Sequence, residues 1–265
     1  MRVTVLGSGT SHGVPSIGCD CAVCQSTDPR DKRTRPSIWI EIEGEAPSTF
    51  AGAVRSILVD TSTDLRTQAL ACNMRRVDAI LFTHSHADHV FGLDDVRRYN
   101  QMQRTPIPCY ADAETLGSLR RMFAYVFDPP PQIGGGIPQL SLFPIAGPFM
   151  LGGVEIVPVP LWHGRLPVLG FRIGTFAYLT DCNRIPDESW PLLEGAQTLI
   201  LDALRRRPHS THFSVSEAVD VVARLGAERA YFTHISHDLA HAETNAHLPA
   251  GVELAYDGLV LEVNA

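Results

Sequence analysis

The sequence predicts an α/β (mixed α+β) protein built as a four-layer αββα sandwich, with residues 1–265 forming one domain. Three observations predict it. Short apolar strand runs alternate with helical patterns through the chain, and the second half repeats the style of the first. A tight cluster of ligand-type side chains, His84, His86, Asp88 and His89, follows the apolar run 77–82. Three later strand runs also end in ligand-type residues, at His163, Asp181 and His234.

The elements follow in order. Residues 2–6 alternate as a first strand, and Gly7-Ser-Gly-Thr-Ser-His-Gly13 follows as a glycine-rich loop. That loop lacks the Gly-Lys-Ser/Thr ending of a phosphate cradle, so it reads as a tight turn bringing backbone near the site. A polar stretch holding Cys19, Cys21 and Cys24 runs to Pro36. Strands are expected at 37–43, 56–60, 77–82 and 107–110, and helices at 65–72, 89–100 and 113–126. The breaker-dense segment 128–136 must be loop. Further strands are expected near 154–159, 169–173, 175–180, 197–201, 228–232 and 252–256. A helix is expected from Ser214 to Leu225, where Ser214 caps and Glu217 completes a capping box.

Composition narrows the function classes. With 265 residues, 45% of them hydrophobic and 19% charged, the chain can bury a substantial core. A net charge of −7 argues against a general nucleic-acid footprint. It leaves a phosphate substrate open, because bound metal ions set the local field. The first apolar run is too short for a signal segment and no window reaches the length of a membrane span, so a cytoplasmic protein with no membrane partner is expected. Of the six cysteines, three crowd into residues 19–24, which in such a chain points to metal more than to disulfides.

The cluster at the end of run 77–82 carries the chemistry. Histidines at i and i+2 of an extended segment point to one side, so His84 and His86 can grip one ion. Asp88 and His89 come where the chain turns into a helix, and a carboxylate suits a helix N-terminus. His84, His86 and His163 would hold one divalent ion and Asp88, His89 and His234 a second, with Asp181 bridging. That arrangement leaves open positions for water, as catalytic sites need. Two such ions activate water and clamp the attacking and leaving oxygens of a displacement, which implies hydrolysis of an ester-like bond.

His84-x-His86-x-Asp88-His89 on a strand-to-helix turn, followed by His163, Asp181 and His234 at strand ends, resembles the metallo-β-lactamase superfamily over essentially the whole chain. The αββα sandwich is the fold this resemblance implies. Cys19, Cys21 and Cys24, together with His237 three residues after His234, are similar to the PhnP-like phosphodiesterases. In that family three such cysteines and the trailing histidine hold a structural zinc, and Cys3His is a closed tetrahedral set suited to that role. Pro208-His209-Ser-Thr-His212 matches the family's His-x-x-His region. The resemblance implies that His212 is the general acid, with His209 as its support or a substrate contact. A near-neutral pKa suits histidine to protonating an alkoxide.

The resemblance thus implies a dinuclear metal-dependent phosphodiesterase acting on a small phosphodiester, cyclic ones included. A metal-activated hydroxide attacks phosphorus, Asp88 orients it, and His212 protonates the departing oxygen. The cofactors implied are two divalent ions, manganese or zinc, and one structural zinc. The partner is a small molecule, with a homodimer allowed and nucleic acid disfavoured. Three rivals remain: an RNA-processing endonuclease of the tRNase Z kind, a PqqB-like cofactor-biosynthesis protein, and a zinc-stabilised binding module without catalysis. Cys72 and Cys109 read as core residues, and His241 and His247 as solvated. Arg165 and the Arg205–Arg207 run read as exposed and within reach of a substrate phosphate. Cys182 is assigned no role.

Overall fold

The computed structural model describes residues 1–42, 55–128 and 136–264. Part of the expected 37–43 strand and most of the expected 128–136 loop lie outside the described residues. The strands are β1 (Arg2–Gly7), β2 (Ser37–Glu41), β3 (Ser56–Val59), β4 (Ala79–Leu81), β5 (Ile107–Ala111), β6 (Leu140–Pro144), β7 (Phe149–Leu151), β8 (Val154–His163), β9 (Leu166–Ile173), β10 (Phe176–Leu179), β11 (Thr198–Asp202), β12 (Arg229–Thr233), β13 (Val252–Leu254) and β14 (Val260–Glu262). The helices are α1 (Leu65–Ala71), α2 (Ala87–Val90), α3 (Arg97–Gln103), α4 (Ala113–Met122), α5 (Ala124–Phe127), α6 (Val215–Leu225) and α7 (His241–Asn245). Among the described residues the strands form two sheets, ordered β14-β1-β2-β3-β4-β5-β6 and β13-β12-β11-β10-β9-β8-β7.

Period-two alternation in the central strands builds the layers. In β10, Phe176 and Tyr178 point between the sheets while Ala177 and Leu179 pack toward the outer helices. In the first sheet, Ile57, Val59, Ala79 and Leu81 face the second sheet, and Leu58, Ile80 and Phe82 face the helical layer. These strands are apolar on both faces because both faces are covered. One apolar layer lies between the sheets and one outside each, which is the expected αββα sandwich.

Topology gathers the strand ends. β3, β4, β5 and β6 run parallel, as do β10, β11, β12 and β13. β8 is antiparallel to β9 and β9 to β10, so β8 runs with β10. The carboxyl ends of β3, β4, β8, β10, β11 and β12 are the positions where an open α/β sheet presents ligand-binding loops. The Leu169 N–H donates to the Thr83 carbonyl at 2.9 Å, joining the two sheets beside the histidine cluster.

Two expected helices are broken. The 89–100 run becomes α2, a 3-10 turn at Leu93–Val96 and α3. The interruption is at Gly92, whose N–H bonds the Thr61 carbonyl and where a Cβ would strike the Ser62 carbonyl. The 113–126 run breaks at Phe123, whose backbone leaves helical angles (φ −113°, ψ 41°). The helix at Ser214 is as expected, with the Ser214 side chain accepting from the Glu217 N–H and Glu217 accepting from the Ser214 N–H. Replacing Ser214 with Ala is expected to cost about 1 kcal/mol of folding stability in chemical denaturation. A loss of only a few tenths would show the cap to be redundant.

Candidate active site

Each cluster residue sits where a strand ends and the chain turns sharply. His84 and His86 follow β4, and Asp88 and His89 lie on the single turn of α2. His163 ends β8, while Asp181 and His234 follow β10 and β12 in left-handed backbone, at φ 52° and 59°. Non-glycine residues in that conformation store roughly 1–3 kcal/mol each and persist only where the surroundings enforce it.

The structure brings all seven expected residues together in two sets that share Asp181. One is His84, His86, His163 and Asp181; the other is Asp88, His89, Asp181 and His234, and the ligand atoms of each set lie within 4.8 Å of one another. Asp181 Oδ2 is 3.1 Å from His89 Nε2, and its Oδ1 is 3.2 Å from His234 Nε2 and 3.9 Å from His84 Nε2. Asp88 Oδ2 lies 3.5 Å from His89 Nε2 and 3.7 Å from His234 Nε2. His86 is exposed and the others are buried, so the set opens to solvent on one side.

Hydrogen bonds fix the tautomers. His163 Nδ1 is 2.8 Å from the Thr211 carbonyl, which can only accept, so Nδ1 carries the proton. His89 Nδ1 donates to Asp60 Oδ2 at 2.7 Å. Thr83 Oγ1 donates to Asp60 at 2.8 Å, which leaves it to accept from His84 Nδ1 at 3.0 Å. The Nε2 lone pairs of these imidazoles therefore face the centre. In the protein alone the Nε2 atoms of His84, His89 and His234 and Oδ2 of Asp88 are buried without a partner. Buried polar atoms are seldom left so, and divalent cations in the two sets would satisfy all four, one taking His84 and the other Asp88, His89 and His234.

Electrostatics agree. Burial disfavours charge on His89, yet Asp181, Asp60 and Asp88 around it pull its pKa well above the ordinary value. Burial pushes His84 well below. Burial opposes ionisation of Asp88 too, but His89 and His234 hold its carboxyl below the usual range. The centre has carboxylate charge to share with a cation.

Beside it lies a third group, Asp202, His212 and His234. His212 Nδ1 bonds Asp202 Oδ2 at 2.7 Å, and Asp202 also accepts from the Cys182 N–H at 3.0 Å. The His212 ring stacks on His234 at 4.5 Å and meets His163 edge-on at 4.6 Å. Burial holds His212 below its ordinary value, and pushes its partner Asp202 up. His209 is 5.3 Å from His212, ring to ring, and its Nδ1 bonds the hydroxyl of Thr211 at 3.1 Å. It braces its own turn.

The cysteine cluster closes around His237. The sulfurs of Cys19, Cys21 and Cys24 are 3.1, 3.5 and 3.5 Å from His237 Nδ1. A tetrahedral zinc with bonds of about 2.3 Å to sulfur and 2.0 Å to nitrogen separates those atoms by about 3.5 Å, so the donor set fits. The six cysteines are free thiols. The Cys24 N–H aimed at the Cys21 sulfur is the main cause that lowers the Cys21 thiol to about 7, while burial raises Cys24 to about 11. The fully buried Arg33 ties this loop to the one after His234. It pairs with Asp31 at 3.0 Å and donates to the carbonyls of Ser236 and Leu239 at 3.2 and 2.8 Å.

Sequence reading missed Asp60 and Asp202 as functional supports. Both satisfy the signal that found Asp181, a carboxylate where an apolar strand ends. His241, expected to be solvated, is buried: its N–H donates to Asp31 and its Nε2 meets Asn245 at 3.0 Å. The Arg205 side chain bonds carbonyls of its own loop, and Arg206 pairs with Glu243 at 3.5 Å. Cys72 is half-buried, whereas Cys109 and Cys182 are core.

The profile of the Beta-lactamase superfamily domain matches residues 55–235, more than half of the chain. The crystal structure of a diphosphatase from the PhnP family superimposes with a TM-score of 0.89, is 44% identical, and is matched over 99% of this chain and 98% of that one. The chain belongs to the PhnP family of this superfamily. An octanoyltransferase from Porphyromonas gingivalis is 38% identical over 261 residues, 98% of this chain and 51% of that protein. The chain therefore spans about half the length of this curated relative. Zinc-bound PqqB from Methylobacterium extorquens, at 21% identity and a TM-score of 0.76 over 99% of this chain and 100% of that one, shares the fold. Membership gives the chain the metallo-β-lactamase fold, which implies divalent ions. Among the described residues no helix is long and apolar enough to cross a membrane.

Replacing Asp60 with Asn removes the carboxylate charge and leaves one acceptor oxygen for the Thr83 N–H, the Thr83 hydroxyl and His89 Nδ1 to share. Affinity for divalent ions is expected to fall by about 10- to 100-fold in competition with a chromophoric chelator. Unchanged affinity would show that His89 is oriented without the carboxylate.

Proposed function

We propose that this PhnP-family chain is a dinuclear metal-dependent phosphodiesterase acting on a small diester, cyclic or linear. The observation that supports it best is the Asp202–His212 pair at 2.7 Å, stacked against His234 at the edge of the centre. Thioester hydrolysis releases a thiolate, which has less need of a proton. An alkoxide leaving from phosphorus needs one, and a positioned imidazole supplies it.

His84, His86 and His163 would hold one ion, Asp88, His89 and His234 the other, and Asp181 both. When bound, such ions activate water and neutralise charge building on the phosphate. The chain's own groups do the rest. Asp88 accepts a hydrogen bond from the attacking water and orients it. Asp202 holds the His212 ring by Nδ1, so that Nε2 delivers the proton to the leaving oxygen. The Cys19–Cys21–Cys24–His237 set would take a zinc with no catalytic part, fastening the N-terminal loop beside His234. The 44%-identical relative is a PhnP-family diphosphatase, and a diphosphate belongs among the candidate substrates for that reason.

Two measurements test the reading. Turnover of a panel of cyclic and linear phosphodiesters and diphosphates by metal-replete protein is expected, with kcat for alkyl diesters falling about 10²- to 10⁴-fold in His212→Ala. No turnover with any added divalent ion would leave a binding module instead. Metal analysis is expected to give about one tightly held zinc and about two exchangeable ions per chain. A total near two would remove the structural zinc.

A further inference from the structure

His212 is only as well placed as the loop that carries it, and that loop is tied to the centre through Asn183. Asn183 lies two residues after Asp181, and its N–H donates to the Trp162 carbonyl at 2.9 Å. Its side-chain Oδ1 accepts from the Gly164 N–H at 2.9 Å, immediately after His163. Its Nδ2 donates to the Ser210 carbonyl at 2.9 Å, two residues before His212. The amide orientation is dictated by its partners, because an N–H only donates and a carbonyl only accepts. One short side chain thus links the segments bearing His163, Asp181 and His212.

The loop has few other holds on that side. Downstream, the Phe213 N–H bonds the Cys182 carbonyl and the Phe213 carbonyl accepts from the Leu204 N–H, both at 2.9 Å. Upstream, the Arg205 side chain bonds the carbonyls of Arg207 and Pro208 within the same turn, and its own carbonyl accepts from the Val215 N–H at 2.9 Å. Between these points the attachments are Asn183 to Ser210, His163 to Thr211, and His212 Nδ1 to Asp202 Oδ2 at 2.7 Å, which fixes the ring but not the chain that precedes it. The two loops also touch directly: a Cβ on Gly164, at φ 65°, would sit 2.8 Å from Thr211 Cγ2.

We propose that Asn183 is a positioning residue that sets where His212 stands relative to the centre and so governs proton delivery to the leaving oxygen. The inference rests on the acid role proposed above for His212. Loss of the Asn183 amide lets the 209–212 loop shift, and a displacement near 1 Å costs on the order of 10²-fold in rate.

The test is the slope of log kcat against leaving-group pKa, over phosphodiesters running from p-nitrophenyl to alkyl leaving groups. Wild type, Asn183→Ala, Asn183→Asp and His212→Ala are compared, each with metal content and thermal midpoint recorded. Asn183→Asp retains the acceptor for Gly164 and loses the donor to Ser210. Both Asn183 variants are expected to steepen the slope, with alkyl diesters losing about 10- to 100-fold and p-nitrophenyl diesters far less. A purely structural role would depress every substrate equally. Slopes parallel to wild type in both variants, with a steep slope in His212→Ala, would overturn the inference and leave the acid in place. A shallow slope in His212→Ala itself would remove the acid role and the inference with it.

Discussion

The site depends on one carboxylate held where water cannot solvate it. Asp181 is buried between His89 and His234, with the Thr180 hydroxyl donating to its Oδ2 at 2.8 Å. Burial opposes its charge, yet the surrounding imidazoles, His234 foremost, keep it ionised. Desolvating a carboxylate costs several kcal/mol unless partners compensate. Asp60, Asp88 and Asp202 add to the same demand. The apolar strands beneath supply the rigidity that holds these groups close, including the left-handed turns at Asp60, Asp181 and His234.

The loops are coupled as firmly as the strands. Gly9 pairs with Ile235 in an isolated bridge, and a Cβ at Gly9 would meet the Arg33 carbonyl at 2.8 Å. The glycine-rich turn therefore brings backbone to the His234 loop, as its composition implied. Arg33 fastens the same loop through the Ser236 and Leu239 carbonyls, and the Cys19–Cys24 cluster through His237. The His234 loop is thus held by several segments, and the ring nitrogens of His234 are left to serve the centre.

Much of this was legible because metal ligands and strand ends follow simple spatial rules. His84 and His86 share a side by strand periodicity, and Asp181 and His234 stand out where apolar runs stop. Asp60 and Asp202 obeyed the same rule, but a carboxylate that orients a histidine looks, in one dimension, like any turn residue. The helix break at Gly92 was hidden because it answers to a neighbouring loop rather than to local periodicity. Asn183 was invisible for a related reason: both its partners are backbone atoms from distant segments. His241 was misread because its burial comes from the Arg33–Asp31 pair.

The cluster draws His84, His86, Asp88 and His89 from one sheet and His163, Asp181 and His234 from the other. Neither half alone offers a complete set, so a cation at this place binds only the docked sandwich. By mass action it adds stability to the docked state in proportion to the logarithm of its free concentration. The seam between the sheets, which in most sandwiches is closed by apolar contact alone, here has a second lock set by the supply of metal. Chelation would therefore act as a destabiliser of the whole fold, and the working life of the protein would follow the metal economy around it.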